Sequence, residues 1–287
     1  MTGFDVIVCG SLHLDIVVKG PRLPQLDETV VGEAWHFVCG GKGRNQAVQA
    51  AATGARVAMI GRVGQDNFAA PLLDSLDAAG VNRSEVAQDG TAGSGMSVAI
   101  VNASGDYGAV IVSGANLATP PDGVAPALAR LGGAAVLVLQ NEVPEAVNLA
   151  AAQAARSNGA RVILNAAPAR PVGAALLGCV DVLVVNRVEA AQLSGLTVNG
   201  PNSAIQAGLA LQADGRAVVV TLGGDGLVLL APGAPAETIA AIPVDVTTTH
   251  GAGDCFAGTL AARLAQGDSL SVACHAANRA AARFVAG

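Results

Sequence analysis

Short apolar runs alternate along this 287-residue chain with segments in which apolar positions recur at helical spacing. An unbroken apolar run of about four to eight residues is typical of a strand buried on both faces, and a 3.6-residue spacing is typical of an amphipathic helix. Repeated strand–helix–strand order predicts an α/β fold, with a largely parallel central sheet and helices on both faces. The predicted strands are residues 5–10, 56–60, 134–140, 161–165, 182–186 and 217–222, and the predicted helices are residues 45–53, 68–79, 144–158, 252–266 and 270–284.

Two segments interrupt this order with strand-like patches and turn residues but no helix. They span about residues 12–37 and 95–112, and the second contains a predicted hairpin between residues 97–102 and 107–111, across an Ala-Ser-Gly-Asp turn. Such pieces predict a small antiparallel β-lid beside the main sheet. No low-complexity linker divides the chain, so residues 1–287 are predicted to form a single domain.

Composition excludes several classes of partner. Hydrophobic residues make up 52% of the chain and charged residues 13%, and the net charge is −6. A surface for nucleic acid or for anionic lipid needs excess positive charge, so neither partner is expected. Mean hydropathy is +0.49, but no apolar run approaches the roughly 20 residues of a transmembrane helix.

Cysteine usage and the first residues of the chain point to a cytoplasmic protein. Five cysteines are scattered without CxxC spacing, which is typical of a reducing compartment rather than of a disulfide framework or a zinc site. The chain begins MTGFDVIVCGS, with no basic stretch and an apolar run too short for a secretory signal.

A glycine-rich segment, CGGKGRNQA at residues 39–47, opens a predicted helix. Glycines allow the backbone to approach a ligand closely, and a helix N-terminus favours anionic or polar groups. The segment matches neither the GxGxxG dinucleotide motif nor the GxxxxGK[ST] phosphate loop, because Gln46 and Gly43 break the two patterns. From the residues alone, a plain tight turn with Asn45 as a helix-start residue stays open.

Gly251, Ala252, Gly253 and Asp254 stand where a loop becomes a long Ala-rich helix. Free N–H groups at such a point can stabilise developing negative charge. Asp254 beside them is a candidate general base that takes a proton from a substrate hydroxyl. The alternative is a carboxylate that merely stabilises the first turn of the helix.

Asn186 and Glu189 follow the predicted strand 182–186, at the edge of the sheet where α/β proteins bind ligands. Their spacing suits a hydrated Mg²⁺ held through water. It equally suits a helix N-cap with the glutamate of a capping box. Further along, the glycine turn after residues 217–222 is consistent with a hairpin to residues 226–230.

In their order and separation, these segments resemble the motifs of the ribokinase-like carbohydrate kinases over essentially the whole chain. The pair Gly-Gly-Lys-Gly and Gly-Ala-Gly-Asp is the most specific part of the resemblance. It implies a parallel sheet core, a β-lid over the sugar, often a homodimer made through the lids, and transfer of the γ-phosphoryl group of ATP to a primary sugar hydroxyl. The residues that carry it are 10–15, 40–47, 113–116, 139–142, 165–170, 186–189, 221–223 and 251–254.

The resemblance also implies roles for individual residues. Asp254 matches the family's catalytic base, and Gly251, Ala252 and Gly253 match its anion hole, where N–H groups stabilise the transferring phosphoryl group. Glu189 matches a glutamate linked to Mg²⁺ through water. Positions that bind the sugar are matched by His13, Asp15, Gly41, Lys42, Asn45 and Glu142, and positions on the nucleotide side by Asn186, Thr221, Gly223 and Asn278.

Departures from the family pattern bear on the sugar and on the monovalent cation. His13 replaces an asparagine at the first sugar-contact position, so the sugar hydroxyls recognised there can differ. Thr248 replaces an aspartate that helps to bind a monovalent cation, and the chain ends at Gly287, before the loop that completes that site. Two explanations stay open: either K⁺ activation is absent, or the loop that completes the cation site is missing from this sequence. Arg44, where small residues are common, is predicted to lie on a solvated helix face.

The predicted activity is therefore an ATP-dependent sugar kinase, with D-ribose as the favoured substrate because the Asn-Ala-Ala-Pro-Ala-Arg segment favours the free sugar. Two alternatives stay open. One is a nucleoside kinase of the same fold, whose substrate also presents a ribose hydroxyl. The other is a sugar- or nucleotide-binding protein that has lost catalysis, against which the intact Asp254 and its neighbouring glycines argue.

Overall fold

The computed structural model describes residues 3–102, 107–212 and 215–287, and these residues form strands and helices in mixed α/β order. The strands are β1 (Phe4–Cys9), β2 (His13–Lys19), β3 (Ala34–Gly40), β4 (Val57–Gly64), β5 (Asn82–Asp89), β6 (Gly95–Val101), β7 (Tyr107–Val112), β8 (Ala134–Gln140), β9 (Arg161–Asn165), β10 (Val182–Asn186), β11 (Ala217–Thr221), β12 (Leu227–Leu230) and β13 (Glu237–Ile239). The α-helices are α1 (Lys42–Ala52), α2 (Ala69–Ala78), α3 (Val124–Arg130), α4 (Glu145–Ser157), α5 (Ala174–Leu177), α6 (Arg187–Ser194), α7 (Pro201–Leu211), α8 (Ala252–Ala265) and α9 (Leu270–Ala286).

A nine-stranded central sheet has the order β5-β4-β1-β8-β9-β10-β11-β12-β13. The strands from β5 to β11 in this order run parallel, and β12 and β13 are antiparallel. The predicted α/β fold class with a largely parallel sheet is confirmed. Pairing of Val220 with Val228 shows that the glycine turn after β11 closes a hairpin.

Both faces of this sheet are buried, which explains the unbroken apolar runs of its strands. Along β1, Ile7 packs into a cluster that includes Val147 of α4, while its neighbour Val8 packs on the opposite face with Phe256 of α8. These four side chains are at most 2% exposed. Each contributes about 1.5–3 kcal/mol of hydrophobic free energy relative to an exposed side chain.

Every predicted strand and helix is present, and the differences have local causes. Helix α1 begins at Lys42, three residues before the predicted start, because Gly41 already serves as its N-cap. Strand β5 was not predicted, since its sequence NRSEVAQD has only two apolar residues, and it forms the edge of the sheet beside β4. Across the three described stretches of chain, no helix is both long enough and apolar enough to span a bilayer.

A second, four-stranded sheet, hereafter the small sheet, has the order β3-β2-β6-β7. All four strands come from the two segments predicted to form a lid, while the predicted turn at residues 103–106 lies outside the described residues. The cross-strand register places Asp15 and Ser97 on one face. Apolar side chains occupy the opposite face and are exposed there, namely Trp35, Phe37, Val98, Val110 and Val112.

Candidate active site

The first turn of α1 packs against the point where the chain leaves β1 for the small sheet. Gly41, the N-cap of α1, has a φ of 90°, in the left-handed region that favours glycine, and a Cβ there would lie 2.8 Å from the Ser11 carbonyl oxygen. A Cβ on Gly43 would lie 2.5 Å from the Ser11 backbone nitrogen. The glycines therefore allow α1 to begin directly against the carboxyl end of β1, where α/β proteins bind ligands.

Glu142, two residues beyond β8, connects this junction to α1. Its Oε2 accepts hydrogen bonds from the Ser11 hydroxyl and, at 2.8 Å, from the backbone N–H of Lys42. His13 Nδ1 lies 3.8 Å from the same oxygen. The His13 ring is buried, and its Nε2 has no hydrogen-bond partner within the described stretches of the chain. The structure thus brings three of the predicted sugar-binding residues together around one carboxylate.

Asp254, in the first turn of α8, is held by two side-chain amides of α1. Asn45 Nδ2 donates to Asp254 Oδ2 at 3.1 Å, and Gln46 Nε2 donates to Oδ1 at 2.9 Å. The two helices approach very closely, since a Cβ on Gly258 would lie 2.5 Å from the carbonyl oxygen of Gln46. The predicted catalytic base therefore lies directly against the predicted sugar-binding turn.

The charge state of Asp254 is governed by opposing effects. Burial raises the pKa of this carboxyl because the charged form is removed from water, and the nearby Glu142 carboxylate acts in the same direction. The Lys42 ammonium group and the amides of Gln46 and Asn45 lower it. A carboxylate whose pKa is raised towards the working pH is better matched to general-base chemistry.

A set of buried side-chain amides also holds the Gln46 side chain in place. Gln140 Nε2 donates to Gln46 Oε1 at 2.9 Å, and Gln46 Nε2 also donates to Asn165 Oδ1 at 3.0 Å. Asn148 Nδ2 donates to the backbone carbonyl of Gln140 at 2.7 Å. No role in the site was predicted from the sequence for Gln140, Asn148 or Asn165. The feature of the sequence that could have indicated one is that Gln140 and Asn165 are polar residues at the ends of buried apolar strands.

Asp15 reaches the same region from the small sheet. The Ser97 hydroxyl on the neighbouring strand β6 donates to Asp15 Oδ1 at 2.5 Å. A Cβ on Gly40 would collide with the Asp15 carboxylate. Because Gly40 directly precedes the N-cap of α1, Asp15 lies beside the glycine-rich turn, on the face of the small sheet opposite Trp35 and Phe37.

Asn186 and Glu189 form the capping box of α6. The Asn186 side chain accepts from the Glu189 backbone N–H at 2.9 Å, and Glu189 Oε2 accepts from the Asn186 N–H at 2.8 Å. Burial raises the pKa of Glu189, the hydrogen bond from the Asn186 N–H and the charge of Lys42 lower it, and the charge of Asp254 adds to the increase. No hydrogen bond to Glu189 Oε1 occurs within the described part of the chain.

The remaining positions predicted for the nucleotide lie at the end of β11, in the turn that follows it and in α9. Thr221 pairs with Asn186 in the register of β10 and β11, so the two residues end neighbouring strands. Gly223 follows in a tight turn with a φ of 62°. Asn278 of α9 donates from Nδ2 to the carbonyl oxygen of Ala240 at 2.9 Å, which ties α9 to the chain beyond β13.

At the start of α8, the three predicted anion-hole positions differ from one another. Gly251 is the N-cap with a φ of 88°, and the Ala252 N–H donates to the carbonyl oxygen of Thr249 at 3.3 Å. For the N–H groups of Gly251 and Gly253, no acceptor is found among the residues that the structure describes. A Cβ on Gly253 would meet no atom within 4 Å, so this part of the turn is open.

The segment that precedes α8 is tied to the end of α9. The backbone N–H groups of Thr247 and Thr248 donate to the Val285 carbonyl oxygen, at 2.7 and 3.4 Å. The Thr248 hydroxyl accepts from the His250 N–H at 3.3 Å. At the position where the family has aspartate, Thr248 thus has a neutral hydroxyl group. That hydroxyl group accepts a hydrogen bond within its own turn.

The prediction of a solvated face for Arg44 is wrong. The side chain is half-buried, and it lies along the contact of α1 with α2 and β3 rather than in solvent. Its guanidinium group donates to the Ser75 hydroxyl and to the carbonyl oxygen of Cys39, each at 3.2 Å. Apolar periodicity does not predict this placement, because a long side chain can bury its stem and keep its donors paired.

Comparison with known proteins identifies the family. The model of the pfkB family of carbohydrate kinases matches residues 4–286. The chain belongs to the pfkB family of carbohydrate kinases. A ribokinase of Bacillus subtilis is 35% identical over 98% of this chain and 92% of its own length, and a deoxyribokinase of Salmonella typhi is 31% identical over 94% and 88%. The structure of Arabidopsis thaliana ribokinase complexed with ribose and ATP superposes with a TM-score of 0.91, at 30% identity, over 99% of this chain and 93% of that one.

As a pfkB-family kinase, the chain is a phosphotransferase that acts on a sugar hydroxyl. The resemblance inferred from the sequence motifs and the predicted class of enzyme are confirmed. The fold is also that of a ribokinase of Thermotoga maritima, with a TM-score of 0.88 at 26% identity over 99% of this chain and 93% of that chain.

Proposed function

We propose that this kinase transfers the γ-phosphoryl group of Mg·ATP to the primary hydroxyl of a free pentose, D-ribose, and so produces ribose 5-phosphate and ADP. The observation that carries the proposal is the placement of Asp254 between the amides of Asn45 and Gln46 and the open turn at Gly253. The ribokinases among its relatives, one of them solved with ribose and ATP, support the choice of substrates.

In the proposed step, Asp254 accepts the proton of the sugar hydroxyl while the hydroxyl oxygen bonds to the γ-phosphorus. The bond from that phosphorus to the bridging oxygen breaks, and ADP leaves with its electron pair. Each Asp254 oxygen already accepts one amide N–H, which fixes the carboxylate and leaves lone pairs for the substrate proton. The N–H groups of Gly251 and Gly253, which have no acceptor among the described residues, stabilise the charge of the transferring group together with Ala252 between them.

The sugar side combines donors with acceptors, as hydroxyl recognition requires. Lys42 and Asn45 donate, the carboxylates of Asp15 and Glu142 accept, and Gly41 allows the backbone to approach the sugar. His13 completes this set. A sugar hydroxyl that contacts the His13 ring satisfies its buried Nε2, which lacks a protein partner among the described residues.

On the nucleotide side, we assign Asn186, Thr221, Gly223 and Asn278 to ATP and Glu189 to Mg²⁺. A hard divalent cation prefers carboxylate oxygens and water, and Glu189 Oε1 accepts no hydrogen bond from the residues that the structure describes. When bound, Mg²⁺ neutralises phosphate charge. The hydroxyl of Thr248 does not replace the negative charge of an aspartate, so we propose that turnover does not require K⁺.

We propose that the small sheet is the lid of the sugar site and that two copies of the chain form a homodimer through it. Asp15 links one face of the small sheet to the site. The opposite face exposes Trp35, which is 64% accessible, next to Phe37 and Val110. An exposed apolar face of this kind is typical of an interface. As an ATP-dependent enzyme, the dimer is proposed to act in the cytoplasm, where Mg·ATP is supplied.

The test is a coupled assay of ADP release with Mg·ATP over pentoses, 2-deoxyribose, hexoses and nucleosides, each with and without K⁺. We expect the highest kcat/KM with D-ribose and no dependence on K⁺. A preference for nucleosides would favour the alternative, a nucleoside kinase of the same fold. A preference for 2-deoxyribose over D-ribose would indicate that the pocket around His13 recognises the sugar differently. Sugar-induced thermal stabilisation without ADP formation would instead indicate a binding protein.

A further inference from the structure

Helix α1 begins with an unfavourable arrangement of charge. Its first turn contains Lys42 and Arg44 and no acidic residue, although the N-terminus of a helix carries partial positive charge that disfavours cations. The charge of Lys42 is explained by its electrostatic attraction to Asp254 and Glu189, whose pKa values it lowers. Arg44 forms no ion pair with any carboxylate in the described residues, so its charge calls for another explanation.

The Arg44 guanidinium group connects three parts of the molecule. It donates to Ser75 of α2 and to the Cys39 carbonyl oxygen of β3, and its Nη1 also donates to Asn45 Oδ1 at 3.3 Å. Burial lowers the pKa of Arg44. A guanidinium group nevertheless stays protonated at any pH where the enzyme works, so Arg44 is a permanent donor.

That donor determines which way the Asn45 amide faces. A guanidinium group can only donate, and an ionised carboxylate can only accept. The amide oxygen of Asn45 must therefore face Arg44, and its amino group must face Asp254. If the Asn45 amide were rotated by half a turn, its amino group would face the Arg44 donor and its oxygen would face the Asp254 carboxylate. Neither pair could then form a hydrogen bond.

We propose that Arg44 is a positioning residue that fixes the Asn45 amide and, through it, the hydrogen bond to the catalytic carboxylate. The inference rests on the proposed function, in which Asp254 is the base. It also specifies the contact of Asn45 with substrate. With its oxygen turned towards Arg44 and one amino hydrogen bonded to Asp254, Asn45 keeps its second N–H as the donor that it offers to the sugar.

Loss of the guanidinium group frees the Asn45 amide to rotate and weakens its bond to Asp254. The pKa of Asp254 then rises, because its ionised form loses a hydrogen bond. The other charged groups that face Asp254 are Lys42 of α1, Glu142 after β8 and Glu189 of α6. All three are retained when Arg44 is replaced, and the combined replacement of Arg44 and Asn45 separates the path through Asn45 from a direct effect of the lost Arg44 charge.

The experiment is a double-mutant cycle with Arg44→Met, which keeps an apolar stem but no donor, Asn45→Ala, and the two combined. Arg44→Ala serves as a second variant if the methionine variant folds poorly. The Asp254 pKa is measured from the carboxyl ¹³C chemical shift, with the signal assigned from Asp254→Asn. We expect each single replacement to raise this pKa by about half a unit, and the combined variant to raise it no further than Asn45→Ala alone.

Turnover gives the second readout. Arg44→Met should lower kcat about fivefold and move the acid limb of the kcat/KM profile to higher pH. Arg83→Ala, which removes an exposed arginine paired with Asp77, should change neither. Two results would overturn the proposal: pKa shifts of Arg44→Met and Asn45→Ala that add in the combined variant, or a lowered melting temperature with kcat and the acid limb unchanged. Because the pKa cycle needs no turnover, it remains decisive even if Asp254→Asn retains activity and the assigned base is wrong.

Discussion

Gln46 donates a hydrogen bond of 2.9 Å to Asp254, although the two residues lie 208 positions apart in the chain. The bond joins the first turn of α1 to the first turn of α8. One of these turns carries the residues assigned to the sugar, and the other carries those assigned to the transferring phosphoryl group. Each side of this contact can be tested with single replacements.

Asp254→Asn should lower kcat by about 10²–10⁴-fold, because the amide cannot take the hydroxyl proton. Sugar affinity, measured by calorimetry, should stay within about threefold of the unmodified protein, since the replacement keeps the size of the side chain and one of its two acceptor oxygens. Asp77→Asn, at an exposed ion pair, is the matched control. Near-normal turnover of the Asp254 variant would contradict the assignment of the base.

Lys42→Met should move the acid limb of the kcat/KM profile to higher pH. Lys42 lowers the pKa of Asp254, so without this charge the carboxylate takes up its proton at a higher pH and the base is lost sooner on acidification. The KM for the sugar should rise as well. An unchanged acid limb, with an effect confined to the KM for ATP, would place Lys42 elsewhere in the reaction.

Gly43→Ala should destabilise the protein by about 1–3 kcal/mol, the range typical of overpacking, and should weaken sugar binding. The new methyl group would lie 2.5 Å from the Ser11 nitrogen, so α1 must move away from the β1 junction and from Glu142. Gly200→Ala is the control, because no atom lies within 4 Å of its Cβ position and its φ is extended. Urea unfolding and sugar titrations of both variants measure the difference.

The free energy of unfolding should fall as the pH rises above about 9. Burial raises the thiol pKa of Cys9 and of Cys274 to about 12, from 9.0. The unfolded chain therefore loses these protons first, and the folded state binds more protons in the window between the two values. Each thiol contributes a slope of up to about 1.4 kcal/mol per pH unit. Cys274→Ala should make the dependence shallower, and an identical slope in that variant would refute this account.

Trp35→Asp should convert the proposed dimer to a monomer while the fold is kept, because it places a charge in the exposed apolar face of the small sheet. Sedimentation equilibrium measures the change, and circular dichroism checks the fold. Leu209→Asp, at an exposed position on α7, is the control that should leave the oligomeric state unchanged. A monomeric unmodified protein, or a dimer that survives Trp35→Asp, would exclude this interface.

The central sheet was predictable because strands that are buried on both faces consist largely of consecutive apolar residues. Strands β8, β10 and β11 are unbroken apolar runs, and their predicted limits differ from the observed ones by at most one residue. Strand β5 was not predictable in this way. It lies at an edge, where only one neighbouring strand is needed, so polar residues such as Arg83 and Glu85 are tolerated.

The candidate site was predictable only where a motif marked it. Asp254 and Asn45 belong to motifs for which a role in the site was predicted, whereas the contact of the Gln140 amide with Gln46 joins residues 94 positions apart and depends on the tertiary fold. Asn186 and Glu189 illustrate a different difficulty. The capping box is present, and the same glutamate also faces the charged groups of the site, so the two interpretations of its spacing are compatible.

The close approach of α1 and α8 at Gly258 has a further consequence, which concerns motion rather than contact. The carboxylate and its two amide donors belong to helices that touch at backbone distance, so they are held in place before any substrate arrives. Little reorganisation is then required when the proton moves, and such preorganisation is a main source of electrostatic catalysis. We therefore expect any closing movement that accompanies substrate binding to belong to the small sheet, the proposed lid, and not to the helices that hold Asp254.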